Sequence, residues 1–365
     1  MFEHTCKQIV EESVTIWSNM QNMTILSVVG ARPQFVKASV ISRELRRNHS
    51  EILIHTGQHY DYNMSRSFFD QLDIPEPDVN LGIGSGPHGS QTGAMLTVIE
   101  EMITKYKPDM VLVYGDTNST LAGALASSKL HIPVCHVEAG LRSYNRRMPE
   151  EINRVLTDHL SSILLCPSQT SATNLQKEGI TEGVHVVGDV MADVLYRTVE
   201  MYKDQDDSIL SRFDLIPEEY LVVTIHRAEN TDNPETLVSI MSALSELSEH
   251  KHVIFPVHPR TRKAIDALNP SQLEVLNVDS LHLIEPVSYV EMVFIVKNAF
   301  ALLTDSGGLQ KESYWLNTPC ITLRQETEWI ETVETGWNRL VGPDHDKIVA
   351  RGVRMIIEKG LFHAD

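Results

Sequence analysis

The sequence has 365 residues, of which 42% are hydrophobic and 22% charged, and its formal net charge is −18. The length fits two domains at about 100–200 residues each, and the composition is that of a soluble globular chain. The acidity argues against a nucleic-acid coat or an anionic membrane surface, both of which call for clustered Lys and Arg, but it leaves room for a small anionic ligand held by a few local donors.

In chain order, residues 1–22 read as an N-terminal extension. Ile9, Val10, Val14 and Trp17 form a helical stripe there, and Met23 looks like a second beginning. Glu11 and Glu12 interrupt the stretch where a secretory signal needs its apolar region. No apolar run approaches the ~18–20 residues of a membrane span, so a cytoplasmic location is expected. After Met23, short apolar runs at 24–29, 51–55, 110–114, 132–137 and 162–166 predict strands. Amphipathic stretches at 35–47, 63–72, 90–106, 118–130, 149–161 and 169–178 predict helices between them. A charged segment follows at 197–219, with Asp204, Asp206 and Asp207, and apolar runs then resume at 220–225, 252–257, 281–284, 300–304 and 320–323. Strands alternating with helices imply parallel sheets covered on both faces. The expected fold class is therefore α/β, with two Rossmann-like domains, 23–190 and 191–365, facing across a cleft. Cys135, Cys166 and Cys320 lie in strand-like runs and, like Cys6, lack C-x-x-C spacing, which predicts free thiols in a reducing compartment.

In open α/β sheets ligands bind beyond the carboxyl ends of the strands, so the polar residues there are the candidates. Gly30-Ala-Arg-Pro-Gln-Phe-Val-Lys37 leads from the first strand into a helix whose backbone N–H groups suit an anion, with Arg32 and Lys37 adding charge; an ordinary turn reads the same. Asp116 follows the third strand and is equally a helix cap. Glu138 ends the fourth strand, where a buried carboxylate needs partners. Glu150 follows Pro149 and is equally a first-turn acid. Together the three suit acid–base chemistry, which needs carboxylates in different protonation states. His226 follows a strand in the second half, as a donor, an acid or a structural histidine. The run His258-Pro-Arg260-Thr-Arg262 reads as a surface basic patch. Thr304-Asp-Ser306-Gly307-Gly308 runs from a strand into a helix N-terminus that suits a diphosphate, with Glu312 about one turn on, placed for ribose hydroxyls. No G-x-G-x-x-G directly follows a predicted strand, and neither a Walker motif nor an H-E-x-x-H occurs, so no redox cofactor and no metal are expected.

These motifs, with Thr56-Gly-Gln-His59, His136-Val-Glu-Ala-Gly-Leu-Arg142 and Pro149-Glu-Glu-Ile-Asn-Arg154, together resemble the non-hydrolysing UDP-N-acetylglucosamine 2-epimerases, in order from about Met23 to Gly342. The resemblance implies a GT-B fold, a homodimer and a UDP-sugar substrate with no other cofactor. It also implies a reaction in which UDP is eliminated to leave a glycal and added back with C2 inverted. It places Asp116, Glu138 and Glu150 as catalytic carboxylates and His226 near the diphosphate. Arg32, Lys37, Arg142, Arg154, Ser306, Gly307 and Gly308 become substrate or phosphate contacts, and Glu312 the ribose contact. Met292 stands near the uracil where an aromatic is common, and Trp329 replaces an arginine. The segment after His59 and the run 82–90 differ from members with an activating second site, and the terminal segment is expected to be shortened. The Thr327-Glu-Trp329 variant resembles the branch acting on UDP-2,3-diacetamido-2,3-dideoxyglucuronate, which is the alternative substrate. A GT-B glycosyltransferase is the further alternative.

Overall fold

The computed structural model describes residues 22–57, 74–273, 278–327 and 329–357. Residues 1–21 of the N-terminal extension, the expected helix 63–72 and the segment directly after His59 lie outside the described residues. The chain divides between Arg197 and Thr198 into two compact units.

In the first unit the elements are β1 (Thr24–Val29), α1 (Arg32–Asn48), β2 (Ser50–His55), β3 (Val79–Asn80), α2 (His88–Tyr106), β4 (Met110–Tyr114), α3 (Asn118–Lys129), β5 (Val134–Val137), α4 (Pro149–Leu160), β6 (Ile163–Cys166), α5 (Gln169–Lys177), β7 (Val184–Val186) and the start of α6 (Val190–Tyr202). The strands form one parallel sheet in the order β3-β2-β1-β4-β5-β6-β7. Strand order reverses between β1 and β4, so their carboxyl ends flank the crevice where doubly wound sheets bind ligands. Their interior is continuous aliphatic side chain, as two helix-covered faces require: Leu26, Val28, Val111 and Val113 are all fully buried, with Met95 and Ile99 of α2 packed against them. Glu51 of β2 is a buried carboxylate. Its carboxylate accepts from Ser27 Oγ (2.6 Å), Ser42 Oγ (2.9 Å) and Arg46 Nε (2.7 Å), tying β1, α1 and β2 together.

The second unit holds the rest of α6, α7 (Asp206–Arg212), β8 (Tyr220–Thr224), α8 (Pro234–Ser248), β9 (His252–Pro256), α9 (Pro259–Asp266), β10 (Leu281–Ile284), α10 (Tyr289–Lys297), β11 (Ala301–Thr304), α11 (Gly307–Trp315), β12 (Cys320–Thr322), β13 (Asn338–Leu340) and α12 (His345–Ile357). Its parallel sheet runs β10-β9-β8-β11-β12-β13, with the reversal between β8 and β11. The expected parallel-sheet α/β class holds in both units.

The sequence pattern overlooked β3, β7 and β13. Each is two or three residues long, too short to show an apolar run, and each lies at or beside a sheet edge, where one face stays polar. The charged segment 197–219 is more ordered than expected, because α6 runs to Tyr202 and α7 follows. Cys135, Cys166 and Cys320 are buried and unpaired.

His55, 3% exposed at the end of β2, carries a pH prediction. Burial, opposed in part by a backbone contact to Gly30, lowers its pKa from 6.5 to about 4. The folded state then binds fewer protons than the unfolded chain between these values, so the contribution is complete above about 6.5 and is lost as pH falls towards 4. Urea titrations at pH 7 and pH 4.5 should differ by on the order of 3 kcal/mol from this group. His55→Gln should flatten that part of the slope; an unchanged slope in the variant would assign it to other groups.

Candidate active site

At the β1–β4 switch point, close approach dictates the residues. A Cβ on Gly30 would lie 2.0 Å from Ser119 Oγ and 2.3 Å from Thr56 Oγ1, so only glycine lets β1 end against α3. The side chain of Gln34 then stitches the two strand ends. Its Oε1 accepts from the N–H groups of Gly30 (2.8 Å) and Ala31 (3.0 Å), while Nε2 donates to the Tyr114 carbonyl (2.6 Å) and Thr120 Oγ1 (2.9 Å). Two backbone donors of the turn expected to receive an anion are therefore already occupied.

Lys37 is not a free phosphate ligand either. Its ammonium hydrogen-bonds the Glu138 carboxylate, with only 9% and 14% of the two side chains exposed. Burial acts to lower the Lys37 pKa, but the charge and hydrogen bond of Glu138, with Asp189 and Asp116 beyond it, outweigh burial and hold it above its ordinary value. Arg32 begins α1; its side chain lies outside the described residues.

Asp116 and Glu138 each sit on a left-handed turn. Gly115, with φ +60°, turns β4 into Asp116, and Glu138 itself has φ +73°. A non-glycine residue in that region costs about 1–3 kcal/mol and persists where the surroundings impose it. Gly115 also makes room, since a Cβ there would stand 3.4 Å from Glu138 Oε2. The helix-cap reading of Asp116 fails: Thr117 caps α3, its hydroxyl accepting from the Thr120 N–H at 3.3 Å. The Asp116 carboxylate, 31% exposed, instead takes the Arg154 guanidinium. Arg154 also reaches Glu151 Oε2 at 2.8 Å.

Glu150 and Glu151, adjacent at the start of α4, differ in burial and in partners. Glu151, 2% exposed, accepts from the Ser143 N–H (2.9 Å), the Ser143 hydroxyl (2.9 Å) and the Tyr144 N–H (2.9 Å), and so shapes the loop before α4. These bonds outweigh its burial and hold its pKa below the usual carboxylate range. Glu150, the next residue back, is exposed and makes no hydrogen bond or ion pair with any described residue. Two of the three expected acids are therefore gathered around Lys37 and Arg154, and Glu150 is not joined to them by any contact. Arg142 departs furthest from expectation as a substrate contact. Only 1% of its side chain is exposed, and its guanidinium is bound at 2.7 Å to Asp158, to both oxygens of Glu178 and to the Leu141 carbonyl. Four donor contacts to the protein leave almost nothing for a ligand. Asp189 is an acid that the sequence pattern missed. It follows Gly188, at φ +92°, after the short β7, the same strand–Gly–Asp arrangement that marked Asp116.

At the β8–β11 switch point, His226 Nδ1 lies 3.1 Å from Asp305 Oδ1, and 38% of the His226 side chain is exposed. Asp305 is fully buried. It accepts from the N–H groups of His226 (3.1 Å) and Arg227 (3.0 Å) and from Asn230 Nδ2 (3.0 Å). Burial pushes its pKa up, but these bonds outweigh that and hold it low. A fixed carboxylate behind a half-exposed imidazole orients the ring, a role the sequence flagged only as part of the Asp-Ser-Gly-Gly run. The His258 ring is 5.7 Å from that of His226. Burial, with His226 and Arg260 nearby, lowers the His258 pKa. Arg260 is held by both oxygens of Asp232 at 2.7 Å.

Ser306 caps α11, accepting from the Leu309 N–H at 3.4 Å. The N–H groups of Gly307 and Gly308 have no intrahelical acceptor, and none among the described residues takes them. A Cβ on Gly308 would meet only Ser306 Oγ, at 4.0 Å. Among the described residues neither packing nor a positive φ demands glycine at 308. Glu312, 8% exposed, accepts from the Tyr289 hydroxyl at 3.3 Å. Burial and Glu312 push that hydroxyl's pKa well up. Met292 packs on the core between α10 and α11. The Lys311 ammonium lies 3.8 Å from the centre of the Trp329 ring, a cation–π contact. The Trp329 indole N–H is buried without an acceptor among the described residues.

A family model described as UDP-N-acetylglucosamine 2-epimerase matches residues 43–363. The chain belongs to that family. It is 55% identical over 327 residues to a UDP-N-acetylglucosamine 2-epimerase homolog of Methanococcus maripaludis, covering 90% of this chain and 91% of the relative. It is 49% identical to the UDP-2,3-diacetamido-2,3-dideoxy-D-glucuronate 2-epimerase of Pseudomonas aeruginosa, covering 90% of each. The crystal structure of the Methanocaldococcus jannaschii UDP-GlcNAc 2-epimerase in complex with UDP-GlcNAc and UDP is 45% identical, with a TM-score of 0.78 over 92% of this chain and 93% of that one. Membership in this epimerase family accounts for two parallel-sheet α/β domains of GT-B type, and no described helix is long and apolar enough to cross a membrane.

Proposed function

We propose that this protein is a non-hydrolysing UDP-sugar 2-epimerase, an isomerase that interconverts UDP-N-acetylglucosamine and UDP-N-acetylmannosamine. The observation that carries the reading is the pair of carboxylates held at left-handed turns, Glu138 on the buried Lys37 ammonium and Asp116 on the Arg154 guanidinium. In the reaction a carboxylate takes the C2 proton. The C–H electron pair becomes the C1=C2 bond, and the C1–O bond breaks with its electrons leaving on UDP. A second acid returns a proton to the opposite face of C2 while the UDP oxygen re-forms the bond to C1. The reading assigns proton chemistry to the first unit, with Glu150 as the exposed third acid. It assigns diphosphate binding to the Ser306–Gly308 turn, ribose binding to Glu312 and leaving-group assistance to His226.

Incubation with UDP-N-acetylglucosamine in deuterated water tests it. The expected result is one deuterium at C2 in both epimers; intact starting sugar, or free N-acetylmannosamine and UDP, overturns it. A second reading, the same chemistry on UDP-2,3-diacetamido-2,3-dideoxyglucuronate, is favoured by the 49% identity to the enzyme named for that sugar. Exchange with the uronate alone would select it.

The reading extends to a homodimer supplying donors for polysaccharide biosynthesis in the cytoplasm, where the buried unpaired cysteines fit a reducing milieu. Support for the dimer lies on α4 and the loop before it. Met148, Ile152 and Leu156, spaced by four, are 38%, 47% and 46% exposed beside Tyr144 at 67%, an apolar stripe of the kind that marks an association surface. Ile152→Glu should halve the mass measured by analytical ultracentrifugation; an unchanged mass would remove the stripe from the interface.

A further inference from the structure

Behind Asp116 and Glu138 lies a buried carboxylate that the reaction above does not use. Asp158, on α4, has a side chain 0% exposed, and its Oδ1 lies 2.7 Å from Nδ1 of the equally buried His136 on β5. Its Oδ2 accepts from the Gly140 N–H at 3.2 Å and from Arg142 Nη1 at 2.7 Å. His136 carries the connection onward, donating from Nε2 to the Gly115 carbonyl at 2.7 Å. An isolated buried carboxylate would cost several kcal/mol. Here the His136 and Arg142 bonds outweigh burial and hold the Asp158 pKa low.

The two glycines at the ends of this chain of contacts are the turns that carry the acids. Gly115, at φ +60°, immediately precedes Asp116, and Gly140, at φ +77°, lies two residues beyond Glu138. A glycine has no side chain whose packing could fix its turn, so backbone hydrogen bonds must do it. Gly140 has no latitude: a Cβ there would lie 2.4 Å from the Ser171 carbonyl oxygen. Arg142, clamped to Glu178 from its other side, holds Asp158 in place. We propose that Asp158 is a positioning residue, acting directly on Gly140 and through His136 on Gly115, which sets the separation of the two catalytic acids. Its kinetic consequence rests on the epimerase reading, because proton transfer on two faces of one carbon tolerates little displacement, and a shift of about 1 Å costs roughly 10²-fold.

The test uses two substitutions of one histidine. The amide of Asn reproduces an Nδ1 donor and the amide of Gln an Nε2 donor, so His136→Asn keeps the bond to Asp158 and His136→Gln keeps the bond to Gly115. The expected result is a kcat for His136→Asn at least ~10-fold below that of His136→Gln, with KM and UDP affinity within about twofold in both. Hydrogen–deuterium exchange should quicken across residues 114–117 in both His136 variants, and more in His136→Asn, which loses the Gly115 bond itself. Asp158→Asn should loosen both 114–117 and 138–141. Equal losses in the two His136 variants that follow their folded fractions, or unchanged exchange at both turns, overturn the proposal. A wild-type enzyme inactive on both UDP-sugars sinks the functional reading instead, and the exchange measurements still decide whether Asp158 and His136 hold the turns.

Discussion

Glu138→Gln is expected to reduce turnover by about 10²–10⁴-fold while leaving UDP affinity nearly unchanged. The substitution is close to isosteric but removes the proton acceptor and the charge facing Lys37. That charge also matters for folding. Lys37 is buried against Glu138, and removing one partner of a buried pair costs about 3–5 kcal/mol in a closed interior. The cost here should be smaller, since Asp116 and Asp189 also act on the Lys37 charge. Loss of activity in the single variant therefore mixes chemistry with stability, and Lys37→Met/Glu138→Gln separates them. With the cation and the carboxylate both gone, the double variant should regain most of the melting temperature and remain as inactive as Glu138→Gln. If activity returned with stability, Glu138 would be a folding residue and the acid–base assignment would fall. Coupling between the two sites, measured as the non-additive part of the stability change, should be large because the groups touch.

The contrast between Lys37 and Gln34 shows what a sequence can disclose about such a site. Strand ends were legible because alternating apolar runs place them, and with them the positions of Asp116, Glu138, His226 and the Ser306 turn. Partnership was not legible. Lys37 reads beside Arg32 as a phosphate contact, but its partner Glu138 is 101 residues away, and no local spacing encodes that pairing. Gln34 carries no charge and nothing in its motif marks a role for it, yet it takes the N–H groups of Gly30 and Ala31. Glu150 and Glu151 are neighbours in one motif, and burial alone separates the loop-shaping acid from the exposed one. Arg142 looks like a ligand residue in a Gly-Leu-Arg run, but Asp158 and Glu178 flank it only after α4 and α5 have packed. Asp189 was hidden because a three-residue strand leaves no pattern to follow.

Gly308→Ala should raise thermal stability while weakening UDP binding, and these opposite signs make it the sharpest probe of the second unit. Glycine inside a helix costs roughly 1 kcal/mol relative to alanine. No described residue requires it at this position, where a Cβ would meet only Ser306 Oγ at 4.0 Å. The melting temperature should therefore hold or rise. A diphosphate at the N-terminus of α11 would approach the N–H groups of Gly307 and Gly308, which no described residue takes, each charge-assisted bond contributing about 1.5–3 kcal/mol. A methyl in that space lengthens at least one of them, which predicts a loss in UDP affinity of about 10–10²-fold by titration calorimetry, and Gly308→Val should lose more. Gly140→Ala gives the opposite control: its φ of +77° and the Ser171 carbonyl 2.4 Å from the new Cβ should unfold the first unit's turn. A Gly308→Ala protein that binds UDP as tightly as wild type would move the diphosphate away from this helix.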